Sequence, residues 1–174
     1  MNLEGWFFLS AALLLVSGGA KLADPAPTSG ALRGAGFASG RAVVYLLGGA
    51  ELVAGAWSLL EGGTGAGWAV AILYAAFGWF VALAIRGRLP IASCGCFGKI
   101  DTPPSPVHLM LNSAGVVGGV WAAVTRSRSL VAVLADQPWS GLPYLVFLAV
   151  GTYALFLLLT ALPRLFAPHP AGHP

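Results

Sequence analysis

Five apolar stretches of roughly 20 residues dominate this 174-residue chain, and each is long enough to cross a hydrocarbon core of about 30 Å as a helix. A bilayer interior offers no water to backbone N–H and C=O groups, so each stretch must satisfy its own hydrogen bonds. The expected fold is therefore an all-α, polytopic membrane helix bundle: a four-helix core plus a fifth, C-terminal transmembrane helix. Composition agrees, since 57% hydrophobic against 9% charged residues, with a mean hydropathy of +0.82, does not suit a chain that must cover itself with polar surface. Lipid bilayer is the first partner this implies, and a bacterial inner membrane is the expected location.

The first stretch, Gly5 to Ala20, has small residues at cleavage-like spacing, but the only side-chain charge before it is Glu4, where a secretory signal wants cations. It reads as a retained span. Pro25 and Pro27 then mark a connecting segment, with a short interfacial helical turn expected over residues 31–38. The second span runs from Arg41 to Leu60 and the third from Gly65 to Ile85. Between them "EGGTGAG" allows only a tight hairpin, making these two helices antiparallel neighbours. Ser105 as N-cap and Pro106 at the first helical position open the fourth span, which continues to Thr125. The organisation expected is a membrane domain over 1–125, a linker over 126–141, a fifth helix over 142–164 and a disordered tail over 165–174. Gly48, Gly49 and Gly55 in the second span, and Gly115, Gly118 and Gly119 in the fourth, are expected to let backbones approach closely.

The net charge of +3 comes from nine Lys or Arg that sit mostly at span ends, where they act as interface anchors and topology signals rather than as a nucleic-acid surface. Arg126 and Arg128 fall on one side of a five-span bundle. Lys21, Arg33, Arg41, Arg86, Arg88, Lys99 and Arg164 fall on the other, which favours a cytoplasmic location for that second side.

Both cysteines of the chain lie on that second side, in "IASCGCFGK". Cys94 and Cys96 are one residue apart, and an extended span of that length approaches the limit of about 7 Å between bridged Cα atoms. Gly95 permits the bend that a disulfide would need. Such a ring is small and strained, hence easily reduced, and it constrains the unfolded chain very little, so it suits a redox-active pair better than a structural staple. Lys99, Arg86, Arg88 and the amino end of the fourth helix would all favour a thiolate. Two other readings stay open: two small side chains packing at a helix mouth, and a zinc or copper site formed by Cys94, Cys96 and His108.

Glu51 stands near the middle of the second span, where an ionised side chain costs at least ~2.5 kcal/mol. It should face the bundle interior, with Lys21 as its partner. Asn112, four residues after His108 on one helix face, offers a further hydrogen bond. Lys21, Glu51, His108 and Asn112 thus form a candidate group, either a structural polar clamp or a site that handles protons.

"SGGAKLADP", "AELVAG", the "RG" that closes the third span, "CGCFG" and the helix start "PVHLMLN" together resemble the methylamine-utilisation MauE family, within the wider DoxX-like membrane bundles. The resemblance covers roughly residues 8–125, and Cys-Gly-Cys-Phe-Gly is its most specific part. Family members often carry an arginine before the helix-four asparagine. Here Leu111 precedes Asn112, so no role of that arginine is carried over. The resemblance implies a multi-pass membrane protein serving maturation, processing or transport of the methylamine dehydrogenase β subunit, a periplasmic protein with many disulfides, and it implies thioredoxin-like partners.

The leading functional expectation is a membrane thiol-disulfide redox protein in which Cys94 and Cys96 cycle between dithiol and disulfide on behalf of an exported client protein. With two cysteines only, the other redox half must be a thioredoxin-like partner or a quinone. The competing expectations are a non-catalytic membrane assembly or chaperone factor and a Cys/His metal-binding membrane protein. A cytoplasmic Cys-Gly-Cys segment conflicts with direct service to exported proteins, because disulfides persist in oxidising compartments.

Overall fold

The computed structural model describes residues 3–89 and 102–161, and every regular element among them is helical. Five helices are long and apolar enough to span a membrane: α1 (Leu3–Ala23), α3 (Arg41–Leu60), α4 (Gly63–Ile85), α5 (Pro106–Thr125) and α7 (Leu142–Thr160). Two short helices complete the set, α2 (Ala26–Gly34) and α6 (Leu130–Ala135), with a 3₁₀ turn at Pro138–Gly141. This is the all-α membrane bundle expected. The bounds of α3 and α5 coincide with the spans read from the sequence.

The short helices differ from expectation for local reasons. Pro25 and Pro27 do not keep their segment irregular. They flank the start of α2, where a residue needs no intrahelical N–H bond, so the helix begins five residues earlier than the turn expected at 31–38. Helix α6 lies inside the segment expected as a linker, and the hydroxyl of Ser129 starts it by accepting from the Ala132 N–H at 3.2 Å.

Close backbone approach decides which spans pair. α1 lies antiparallel on α3: a Cβ added to Gly18 would come within 2.6 Å of the Gly48 carbonyl, and one on Gly55 within 2.7 Å of the Ala11 carbonyl. α4 and α5 form the second intimate pair, where a Cβ on Gly67 would meet the Ala123 nitrogen at 2.4 Å and one on Gly119 the Ala71 nitrogen at 2.7 Å. In lipid, where apolar side chains gain nothing by avoiding water, such contact through small residues holds helices together. The hairpin through Gly62 and Gly63, both at positive φ, does make α3 and α4 antiparallel, yet α3 packs more closely on α1, and α4 on α5, than the two do on each other. Of the six glycines expected at interfaces, Gly49 is the exception, since a Cβ there would meet nothing within 4 Å.

α1 is the central helix, touching α3, α5 and α7. Its Phe7, Phe8, Leu13 and Leu14 fill the core together with Val70 and Tyr74 of α4 and Leu148, Leu155 and Leu159 of α7. Polar side chains tie the bundle by donating to carbonyls of other helices: Trp6 Nε1 to Ala114 at 2.7 Å, Tyr74 Oη to Ser10 at 2.9 Å and Thr64 Oγ1 to Ala123 at 3.1 Å. Leu46, Val53, Ile72, Val124 and Val150 project outward, as residues facing lipid do.

Candidate functional site

The order of the spans puts the C-terminal ends of α1, α4 and α7 and the N-terminal ends of α3 and α5 on one face of the bundle. At that face, polar side chains run inward along α1, α3 and α5. Lys21, in the last turn of α1, is 2% exposed, and Glu51, halfway along α3, is fully buried. The Lys21 ammonium lies 2.9 Å from Glu51 Oε1 and 3.0 Å from Oε2. Only Oε2 receives a well-directed hydrogen bond; Oε1 is held by charge. The pairing expected for Glu51 is thus the one observed, and it exists because Gly18 and Gly48 bring α1 and α3 close enough for a buried ammonium to reach a buried carboxylate. Lys21 also donates to Ser17 Oγ at 2.6 Å, one turn back on its own helix, and stands 5.4 Å above the Phe77 ring of α4.

Ser17 carries the cluster across to α5. With His108, Asn112, Tyr74 and Phe77 it lines an internal cavity of about 40 Å³, room for a water molecule or two. His108 is 2% exposed. Its Nδ1 pairs with Ser105 Oγ at 2.8 Å, and its Nε2 is buried with no hydrogen-bond partner among the described residues. Ser105 stands in the N-cap position with extended backbone, as expected, but its hydroxyl serves the imidazole rather than the helix amides. Asn112 Nδ2 donates to the His108 carbonyl at 2.7 Å, so its amide bonds within its own helix instead of reaching the Lys21–Glu51 pair.

Four of the expected site residues thus lie around one cavity: Lys21 bonds Glu51 and Ser17, and Ser17, His108 and the half-buried Asn112 line the cavity wall. Sequence reasoning missed Ser17, Ser105 and Tyr74 as members. The spacing of Ser17 four residues before Lys21, and of Ser105 three before His108, was the available signal. Cys94, Gly95 and Cys96, with Lys99, lie outside the described residues, as do Arg164 and the tail expected over 165–174. The segment that carries the cysteines falls in the sequence between the end of α4 at Ile85 and the start of α5 at Pro106, and Thr102 is the first described residue after them. Thr102 is buried and donates to the Leu159 carbonyl near the end of α7 at 3.2 Å. Both ends of that segment attach at the face from which the polar cluster descends. Among the described residues, no group of three or more His, Cys, Asp or Glu side chains is placed to hold a metal ion.

No curated protein and no solved structure matches the chain. The family model described as methylamine utilisation protein MauE matches residues 5–125, from the first turns of α1 to the end of α5. That match takes in the whole buried cluster and well over half of the chain, so this multi-pass membrane protein belongs to the MauE family.

Proposed function

We propose that this protein is a membrane thiol-disulfide redox protein that supports disulfide formation or maturation of exported proteins through Cys94 and Cys96. What supports the reading most is the buried Lys21–Glu51–Ser17–His108 cluster, which descends from the face where both ends of the Cys-Gly-Cys segment attach. Intramembrane ionisable groups are rare and often mark proton pathways, which is the use this reading gives to the cluster. In the proposed cycle a partner thiolate attacks the Cys94–Cys96 disulfide, a mixed disulfide forms, and the partner's second thiolate resolves it, leaving an oxidised partner and a Cys94/Cys96 dithiol that a quinone reoxidises. The partner's two thiol protons end on Cys94 and Cys96 and leave when that pair is reoxidised. His108, whose Nε2 has no partner among the described residues, is the group suited to accept one and pass it through the cavity toward Ser17. Within the family's context the client is the methylamine dehydrogenase β subunit, and the partner is thioredoxin-like.

The test is the redox equilibrium of purified, full-length protein against glutathione buffers, with free thiols counted by alkylation and mass. A cooperative two-electron transition, lost in Cys94→Ser and in Cys96→Ser, is the expected result. Thiols that stay reduced in oxidising buffer would overturn the proposal in favour of a non-catalytic assembly factor. The unpartnered imidazole nitrogen also favours the metal reading, which requires stoichiometric zinc or copper in the purified protein and its loss in His108→Gln.

A further inference from the structure

A second cavity, of about 270 Å³, shares Phe77 with the His108 cavity and is lined from α1, α2 and the loop after it, α3 and α4. Its walls are aromatic: Phe37, Phe77, Trp79 and Phe80, with Phe37 and Phe80 6.3 Å apart between ring centres. Lys21 and Thr28 are its polar contributors. The site is near the membrane boundary, since Val81 at its edge is one turn from the end of α4, the helix from which the Cys-Gly-Cys segment departs.

We infer that this cavity binds the ring of an isoprenoid quinone, the lipid-soluble electron acceptor for the cysteine pair; the acceptor role rests on the redox reading above. Three observations select this occupant. The volume is just below the range of drug-sized sites, enough for a ring headgroup whose tail leaves into lipid past the exposed Trp79 and Phe37. The one cation in the wall, Lys21, is held by Glu51 and Ser17, so the pocket carries no unbalanced charge and suits a neutral ring rather than an anionic headgroup. Flat aromatic walls favour a planar ring over an acyl chain, which needs no such faces. The balance closes with this partner. Two S–H bonds break and one S–S bond forms, releasing two electrons and two protons, and the two quinone C=O groups take them up to become the C–OH groups of a quinol. A chain with two cysteines has no internal acceptor for those electrons.

Binding is tested in nanodiscs on the full chain carrying Cys94→Ser and Cys96→Ser, so that no thiol chemistry consumes the probe. Decylubiquinone, whose ring is fully substituted, is titrated and followed by quenching of tryptophan fluorescence. Saturable binding is expected, unchanged by Val124→Phe on the lipid-facing side of α5. Ala76→Phe, which fills the cavity, should weaken binding about tenfold or more, and Phe37→Ala, which removes a wall, should weaken it in the same direction. Identical, non-saturating curves for all variants would mean partition into the bilayer only and would overturn the proposal. Quinol formation is then followed with the reduced cysteine-containing protein. Saturable, Ala76→Phe-sensitive binding without quinol formation would uphold the cavity as a quinone site and count against the redox reading. Quinol formation insensitive to both cavity variants would uphold the redox reading and overturn the site.

Discussion

Replacing Lys21 with Met removes one charge from a pair in which both partners are essentially inaccessible, and the cost can be worked from that geometry. In the parent protein the ammonium contacts both Glu51 oxygens at 2.9 and 3.0 Å and Ser17 Oγ at 2.6 Å. Lys21→Met keeps most of the apolar stem of the side chain but leaves the Glu51 carboxyl inside the bundle without its cation. Breaking a buried pair from one side costs about 3–5 kcal/mol, because the remaining charge keeps its desolvation penalty and loses its compensation. For a chain of this size each kcal/mol lowers the melting temperature by about 2–4 °C, so a fall of about 6–20 °C is expected. Glu51→Leu should cost a similar amount by stranding Lys21. The double variant Lys21→Met, Glu51→Leu should recover most of the loss, since well-packed apolar residues can replace a buried pair at little cost. Thermal unfolding of the four proteins in one detergent closes a double-mutant cycle. A Lys21→Met protein that melts with the parent, or a double variant whose loss equals the sum of the singles, would refute the claim that the pair is buried and coupled.

Three further outcomes follow from the packing and the cluster. Gly67→Ala should destabilise the bundle by about 1–3 kcal/mol in the same melting assay, because the new methyl meets the Ala123 backbone, whereas Gly49→Ala, with open space around it, should melt at or slightly above the parent temperature. The Arg128–Asp136 pair is exposed on both sides, so Asp136→Asn should leave the melting temperature unchanged within the error of the assay, in contrast to Glu51→Leu. His108→Gln should preserve the fold yet slow disulfide exchange about 10²-fold, a typical contribution of a positioned proton carrier, and flatten the pH profile of the rate; an unchanged profile would remove His108 from the proton path.

The span lengths were legible because a bilayer imposes one length on every crossing helix, and the Lys21–Glu51 pair because an intramembrane carboxylate must find a partner. Helix pairing was less legible. Core-facing Phe7 and lipid-facing Leu46 are both apolar, so hydrophobic periodicity does not tell which side of a span meets another helix. Glycines mark such faces only in part, as Gly49 shows beside Gly48. Helix α2 was obscured by prolines that read as breakers but sit at the helix start, and α6 by a cap, Ser129, inside a polar run. The aromatic cavity gathers side chains from distant parts of the chain, Phe37 and Phe77 among them, and no local pattern announces it.

Burial of Lys21 also changes the charge count that bears on topology. A lysine paired inside the bundle is not a free interfacial cation, so six residues rather than seven oppose Arg126 and Arg128. The count still favours a cytoplasmic location for the face that holds the cysteine segment, while service to exported proteins requires the opposite placement or electron transfer through the bundle. Side-resolved thiol labelling puts this directly to the test: intact cells are treated with a membrane-impermeant maleimide, before and after reduction, and the mass shift on the protein is read. The proposed exchanger expects labelling from outside only after reduction, the mark of an exported, oxidised Cys94–Cys96 pair. Labelling only after lysis, with no need of reductant, would place free thiols in the cytoplasm and contradict direct disulfide exchange with exported proteins.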